Sequence, residues 1–297
     1  AALCRTQPPK AALSVELCVL CAIGAQDVRA ADCKSLAENP IGGFRQAQKS
    51  TPPGWTFCFV CGMLREKAVN SMQDVTLHVI ARMHSDFATK FGIPRQSGLV
   101  EALRSTIVFE PEYRNEEALR GISDFSHLWL IWQFSEAVRE GWSPTVRPPR
   151  LGGNVRMGVF ATRSPFRPNN LGLSCVRLIG TEHTEKYGTV LHVGGADLMN
   201  GTPIFDIKPY IPYSDCKPDA TEGFTQGANP YLLQVDFPAE LLARLPAEKR
   251  QAAIGVLTHD PRPSYQRTAG RIYGLSFAGY NIRFTVTGDT LTVLEVE

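Results

Sequence analysis

Downstream of residue 74 the sequence has no His-Glu-x-x-His, no Gly-x-Ser-x-Gly, no P-loop and no His or Cys set at metal-ligand spacing. Each of those spacings holds a zinc, a nucleophile or a nucleotide phosphate, so metal hydrolysis, triad chemistry and nucleoside triphosphate hydrolysis are disfavoured. No Gly-x-Gly-x-x-Gly follows a strand pattern, which leaves a Rossmann-type site without support. No apolar run approaches the roughly 18 residues of a membrane span, so a soluble protein with no membrane partner is expected. Net charge is only +2 over 297 residues. Any basicity is therefore local, as suits a protein that meets a polyanion over one patch.

Cysteine is scarce after residue 61, where only Cys175 and Cys216 occur. That part reads as a reducing-compartment, cytoplasmic protein with two unpaired thiols. The other six cysteines lie before it. Cys18-x-x-Cys21 and Cys58-x-x-Cys61 could together hold a tetrahedral zinc, but 36 residues separate the pairs, wider than a usual ribbon, and no metal is expected. Residues 1–74 show no sustained period, and the first methionines are Met63 and Met72. The simplest reading is translation starting at one of these, with the stretch before it disordered or misassigned; an evolved appendage is the rival.

One sign of charge is missing from a long segment: no Asp or Glu occurs between Gly141 and Thr181. Within it, Gly141–Asn170 carries Arg147, Arg150, Arg156, Arg163, Arg167 and five prolines. Proline and glycine at this density set stiff turns, so guanidinium groups are held where anions can meet them. A solvated basic loop is the alternative. A strand-like VRMGVFAT sits between the two Pro-rich turns.

Period-2 alternation predicts a strand over Val75–Met83, and further strands over Ser105–Glu110, Leu173–Gly180 and Thr189–Gly195. Asn115 caps a short helix through Leu119. FSHLWLIWQF (Phe125–Phe134) reads as a strand buried on both faces, with Trp129 and Trp132 as core and His127 as a hydrogen-bonded core histidine. Phe205–Tyr210 is extended, with Asp206 and Lys208 on one face as a surface ion pair or as part of a pocket wall. Ser214–Pro230 reads as a linker. Beyond it come a strand at Tyr231–Phe237, two short helices opened by Pro238 and Pro246, and three strands turning at Ala278-Gly279 and Gly288-Asp289. The expected fold is mainly β: a barrel-like antiparallel domain over residues 75–215, then a smaller α+β domain over residues 230–297.

The run PTVRPPRLGGNVRMGVFATRSPFRPNNLGLS resembles the signature of the TrmO (YaeB-like) family. Further matches are IPRQSGLV (Ile93–Val100), GISDFSHLWLIWQF (Gly121–Phe134), DLMNGTPIFDIKPY (Asp197–Tyr210) and HDPRPSYQ (His259–Gln266). Several long motifs in order, from about Val75 to the C-terminus, make the resemblance specific. It implies an S-adenosylmethionine-dependent methyltransferase acting on N6-threonylcarbamoyladenosine beside the anticodon of tRNA, with the cofactor held by a β-barrel and the protein working as a homodimer. Matched positions implied for the cofactor are Pro94, Arg95, Gln96, Ser135, Glu136, Arg163, Leu173, Asp197, Leu198, Met199, Asn200 and Gly201. Ser135-Glu136 replaces the His-Gln often found there, and Asn200 stands where an Asp is common.

Methyl transfer from a cofactor that brings its own leaving group needs alignment more than metal, together with an acceptor for the N6 proton. Asp260 is the candidate acceptor, with Tyr265 orienting substrate; alternatively Asp260 only holds its turn. Arg147, Arg150, Arg156, Arg167 and Arg262 are candidates for tRNA phosphates and the threonyl carboxylate. A non-catalytic RNA-binding module, or a methyltransferase for another small molecule or nucleoside, are the competing readings.

Overall fold

The computed structural model describes residues 75–226, 232–262 and 270–297 of the chain. The two N-terminal Cys pairs, Met63, Met72 and Tyr265 therefore lie outside the described residues.

Six antiparallel strands form the first layer: β1 (Ala81–His84), β2 (Arg104–Phe109), β3 (His127–Gln133), β6 (Leu171–Thr184), β7 (Gly188–Gly194) and β8 (Pro203–Pro209). Between β3 and β6 a two-stranded ladder, β4 (Thr145–Val146) with β5 (Met157–Gly158), stands apart. The six strands pair in the order β1-β2-β7-β6-β3-β8, and β8 returns to β1 through Ala81 and Ile204, so the sheet closes on itself. Closure satisfies the backbone groups that an edge strand would leave open. The enclosed face is apolar: Ala81, Met83, Ile107, Leu128, Leu130, Leu191, Val193 and Ile204 are fully buried. Burying a Leu or Ile contributes roughly 1.5–3 kcal/mol, which makes this interior the main stabilising element of the layer.

Two strand expectations need correction. The first strand begins at Ala81 and not at Val75, although the Ile80 N–H already bonds the Ile204 carbonyl at 2.9 Å. Val75 and Leu77 keep the alternating pattern but face solvent outside any strand, because alternation holds a strand only where a partner receives its apolar face. In β3 only Leu128, Leu130 and Trp132 point into the interior, while the intervening residues are half-buried and not fully covered. On that outer face the Trp129 indole N–H donates to Asp215 at 2.9 Å from the short helix α1 (Pro212–Asp215). His127 is half-buried and sits 2.9 Å from the Ser126 hydroxyl.

The C-terminal region forms a second sheet, ordered β10 (Tyr273–Phe277), β11 (Tyr280–Thr287), β12 (Thr290–Val296) and β9 (Gln234–Asp236), with β9 parallel to β12. It is accompanied by helices α2 (Ala239–Leu242) and α3 (Ala247–Thr258). Pro238 and Pro246 occupy the N-cap positions, one residue before the first helical turn where they were expected. The β10–β11 turn needs positive φ at both central residues, 51° at Ala278 and 84° at Gly279. An alanine in that region is disfavoured by its Cβ. It is held there because its N–H donates to the Asp86 carbonyl at 2.9 Å, while the Asp86 carboxylate takes Lys249 Nζ at 2.7 Å.

The core of this second layer is not drawn from the C-terminal sequence alone. Phe87, Val100 and Leu103, from the β1–β2 connection, are buried with Leu245, Val256, Leu275 and Phe284. The rings of Phe87 and Phe277 meet edge to face at 5.5 Å. Between Phe87 and Val100, Phe91 and Ile93 also pack against this core, so the loop that follows Ile93 is carried on the second layer.

Candidate functional site

That loop carries Pro94-Arg95-Gln96, and its position is fixed by backbone bonds. Gly98 N–H donates to the Gly195 carbonyl at 2.8 Å, and a side chain on Gly195, at φ 72°, would press on the Gly98 backbone. From the other layer, His259 Nε2 lies 3.0 Å from the Leu99 carbonyl. The segment following β7 is thereby set beside the loop, where the Ser97 backbone N–H bonds the Asp197 carboxyl.

The third wall comes from the Arg- and Pro-rich stretch. VRMGVFAT is not a strand: only Met157 and Gly158 pair, with Val146 and Thr145, before a 3-10 turn at Val159–Ala161. Short side chains then hold the arch. Thr162 Oγ1 donates to the Val159 carbonyl at 2.9 Å and accepts from Ser164 N–H, Ser164 Oγ accepts from Phe166 N–H, and Asn170 Nδ2 donates to the Pro165 carbonyl at 2.7 Å. Hydroxyl and amide side chains bonding their own backbone fix a turn without helix or sheet, so the arch is rigid though irregular.

These walls enclose a cleft of about 950 Å³. Of the residues expected at a cofactor, Pro94, Arg95, Gln96, Ser135, Glu136, Arg163, Leu173, Asp197 and Met199 line it. Three do not. Leu198 is buried in the interior of the closed sheet. Asn200 faces a smaller cavity on the far side and accepts from Ser85 N–H. Gly201 makes a turn at φ 80° and donates its N–H to the Met83 carbonyl at 2.7 Å.

Of the arginines assigned to RNA, Arg167 lines the cleft and donates to the Thr162 carbonyl at 3.0 Å. Arg147 and Arg156 are exposed and flank the β4–β5 ladder, and Arg150 stands in the 3-10 turn Pro149–Leu151. Arg262 is not a surface cation: it is buried and grips Asp260 with two bonds, Nε to Oδ1 at 2.7 Å and Nη2 to Oδ2 at 2.9 Å. Asp260, at φ 49°, also accepts from Arg262 N–H. The forked geometry engages both carboxylate oxygens, and it accounts for Asp260 as the residue that holds the turn. Asp206 and Lys208 form an exposed ion pair at 2.9 Å and line no part of the cleft.

The sequence reading missed the aromatic wall. Trp132 and Phe134, with ring centroids 4.3 Å apart, and Phe160 and Phe166 all border the cleft. Arg139 lies 3.8 Å over the Phe166 ring. A Cβ at Gly172 would overlap the Trp132 indole, so glycine there lets the ring lie flat against β6.

The electrostatics centre on Asp197. Burial pushes its carboxyl above the ordinary carboxylate range; the Ser174 hydroxyl, backbone N–H groups and Arg163 pull the other way. Ser174 Oγ donates to Asp197 Oδ1 at 2.6 Å and accepts from the Trp132 indole at 2.9 Å. Arg163 in turn donates to Gln96 Oε1. Lys90, Arg95, Arg139, Arg163 and Arg167 face only Asp197 and Glu136, so the cleft has positive character with a single half-buried anion. Such a site suits a ligand with an aromatic ring, an anionic group and a hydroxyl or ammonium donor. Among the described residues no cluster of His, Cys, Asp and Glu could hold a metal, and no helix is long and apolar enough to cross a membrane.

Residues 82–216 match the family model for the tRNA-methyltransferase O N-terminal domain, and residues 230–297 match that for the TrmO C-terminal domain. The chain is 40% identical over 234 residues to the tRNA (adenine(37)-N6)-methyltransferase of Escherichia coli, covering 76% of this chain and 99% of that protein. It is 35% identical over 147 residues to a protein of Pyrococcus abyssi described as a probable S-adenosyl-L-methionine-binding protein, over 50% of this chain and 74% of that one. A solved TrmO structure from Pseudomonas aeruginosa superposes with a TM-score of 0.61 at 33% identity, over 76% of this chain and all of the other. Both family segments coincide with the two sheets, the cleft is built from the motifs that carried the resemblance, and the chain belongs to the TrmO family.

Proposed function

We propose that the protein transfers the methyl group of S-adenosylmethionine to N6 of adenosine 37 in tRNA, with the N6-threonylcarbamoyl form of that base as its substrate. The observation that carries this reading is the convergence of Pro94-Arg95-Gln96, Ser135-Glu136, Arg163, Leu173 and Asp197 on one cleft. The residues present fit the cofactor: guanidinium groups for its carboxylate, the Asp197 carboxylate for hydroxyl or ammonium donors, and the Trp132 and Phe134 rings for its purine. When bound, S-adenosylmethionine supplies an activated methyl on a cationic sulfur that is its own leaving group.

The chain's own work is then positioning and proton removal. Rigid walls fix the reactants against each other, and that alignment is the main thing such a reaction needs from a protein. Because Asp260 is committed to Arg262, the carboxylates the cleft itself offers to an N6 proton are Asp197 and Glu136. Exposed Arg147 and Arg156, at the end of the β4–β5 ladder, suit tRNA phosphates. A homodimer, and work in the cytoplasm where tRNA is met, belong to the same proposal.

Nucleoside mass spectrometry of tRNA from cells with and without the gene tests it. The N6-methylated threonylcarbamoyladenosine should vanish on deletion and return on complementation. In vitro, labelled methyl should pass to tRNA only when the threonylcarbamoyl group is present. Unchanged nucleosides on deletion would overturn the reading; methylation of unmodified adenosine 37 would overturn its finer half. A protein that bound tRNA but not S-adenosylmethionine by calorimetry would be a binding module.

A further inference from the structure

Two large aromatic side chains stand open to solvent at the mouth of the cleft. Trp142 is 53% exposed and Phe160 72%, yet their ring centroids lie 6.1 Å apart with planes tilted by 30°. Single exposed apolar residues are normal on a protein surface, but a paired aromatic surface held in place marks a contact. The pair is held by construction. Trp142 leads into β4 and Phe160 follows β5; Thr145 pairs with Gly158, Val159 N–H donates to the Pro144 carbonyl at 2.9 Å, and Val159 itself is buried as the anchor. Phe160 also lines the cleft, beside Val138 and the Arg139–Phe166 stack.

The surroundings decide the occupant. The segment from Gly141 to Gly180 contributes no carboxylate; Arg147 and Arg156 stand exposed just beyond the Val146–Met157 pair, at the other end of the ladder, while Arg163 and Arg167 carry positive charge into the cleft. An aromatic face next to guanidinium groups is the composition that binds single-stranded nucleic acid, the ring taking a base and the cations its phosphates.

We propose that Trp142 and Phe160 form a stacking platform for an unpaired base flanking the methylated adenosine in the tRNA loop. The proposal rests on the functional reading above and adds a residue-level basis for holding the loop open at the cleft. Stacking is tolerant of base identity because every base offers a π-face, so the platform selects an unpaired loop over a helix and not one sequence.

The test pairs changes on both molecules. Affinity is measured for an anticodon stem-loop RNA, intact and with an abasic site placed in turn on each side of the target adenosine. Wild-type protein should lose roughly tenfold or more with one of the two abasic RNAs. Trp142→Ala should lose a similar factor with intact RNA and nothing further with that abasic RNA, while Trp142→Phe keeps most of the affinity. Wild-type protein that binds both abasic RNAs as tightly as the intact one overturns the proposal, whatever the stability of the variants. So do losses from Trp142→Ala and from the abasic site that simply multiply. Sedimentation showing that Trp142→Ala converts a dimer to monomers with RNA affinity per protomer unchanged would make this surface a contact between copies. If wild-type protein methylates tRNA yet ignores both changes, only the platform falls; if it neither binds nor methylates tRNA, the functional reading falls with it.

Discussion

The Ser174 hydroxyl donates to Asp197 Oδ1 at 2.6 Å while accepting the Trp132 indole N–H, so one buried hydroxyl ties the cleft's half-buried anion to its aromatic wall. Ser174→Ala removes both bonds at once. It leaves the indole N–H without its partner and takes away a donor that favours the ionised carboxylate, so the Asp197 carboxyl should titrate still higher. A stability loss of about 1–3 kcal/mol is expected, as for a buried polar group stripped of its bond. Thermal melting and the Trp132 emission maximum check it.

Asp197 gives the binding reaction a pH dependence whose sign can be worked out. Its folded-state pKa is raised, chiefly by burial, above the ordinary Asp value near 3.9. Folding stability from this group is therefore full below the ordinary value and falls as pH rises through the raised one. Cofactor affinity runs the opposite way if the ionised form accepts from the ligand, weakening as pH falls through that raised value. Asp197→Asn should bind S-adenosylmethionine more weakly by roughly tenfold, as for loss of a charged hydrogen bond. Its affinity should also be flat across the pH range where the wild type varies. Calorimetry at several pH values decides, and equal slopes for the two proteins would remove Asp197 from the binding surface.

Gly172→Ala should damage the cleft without touching a polar group. The new methyl overlaps the Trp132 ring, and displacing that ring disturbs its bond to Ser174 and its packing on Phe134. Overpacking of this kind costs about 1–3 kcal/mol. Near-wild-type melting together with near-wild-type S-adenosylmethionine affinity would show that the ring has room the structure denies it.

Breaking the Asp260–Arg262 fork should act on stability before activity. Both partners are buried, so Asp260→Ala takes the carboxylate of the fork away from a buried guanidinium, at a cost of about 3–5 kcal/mol. The double variant Asp260→Ala, Arg262→Met should recover much of it. Unchanged melting with abolished methyl transfer in Asp260→Ala would make Asp260 the proton acceptor.

The sequence announced the cleft through contiguous motifs, and it did so where side chains act locally. Pro94-Arg95-Gln96 and Arg163 reach it because turns built from Pro, Gly, Ser and Thr carry their own geometry. Around Asp197 that legibility failed for a simple reason. Asp197 and Met199 line the cleft, while Leu198 between them is buried in the core and Asn200 lines another cavity. A motif names a stretch; the period of two sorts its members. Trp132 is core by its pattern and by its burial, but its neighbour across the sheet is Gly172, and the ring occupies the space that a side chain there would fill. The fork between Asp260 and Arg262 depends on a left-handed backbone at Asp260, which the order of residues alone does not display.

The burial of Phe87, Val100 and Leu103 in the second core makes the two layers mechanically dependent. Their burial anchors the ends of the loop that carries Pro94-Arg95-Gln96, like a bridge with one abutment on each bank. Cutting the chain after residue 226 would leave the closed sheet with all six strands but strand three large apolar side chains in water and slacken one wall of the cleft. In this chain the smaller sheet is thus a footing for the cleft as well as a domain of its own.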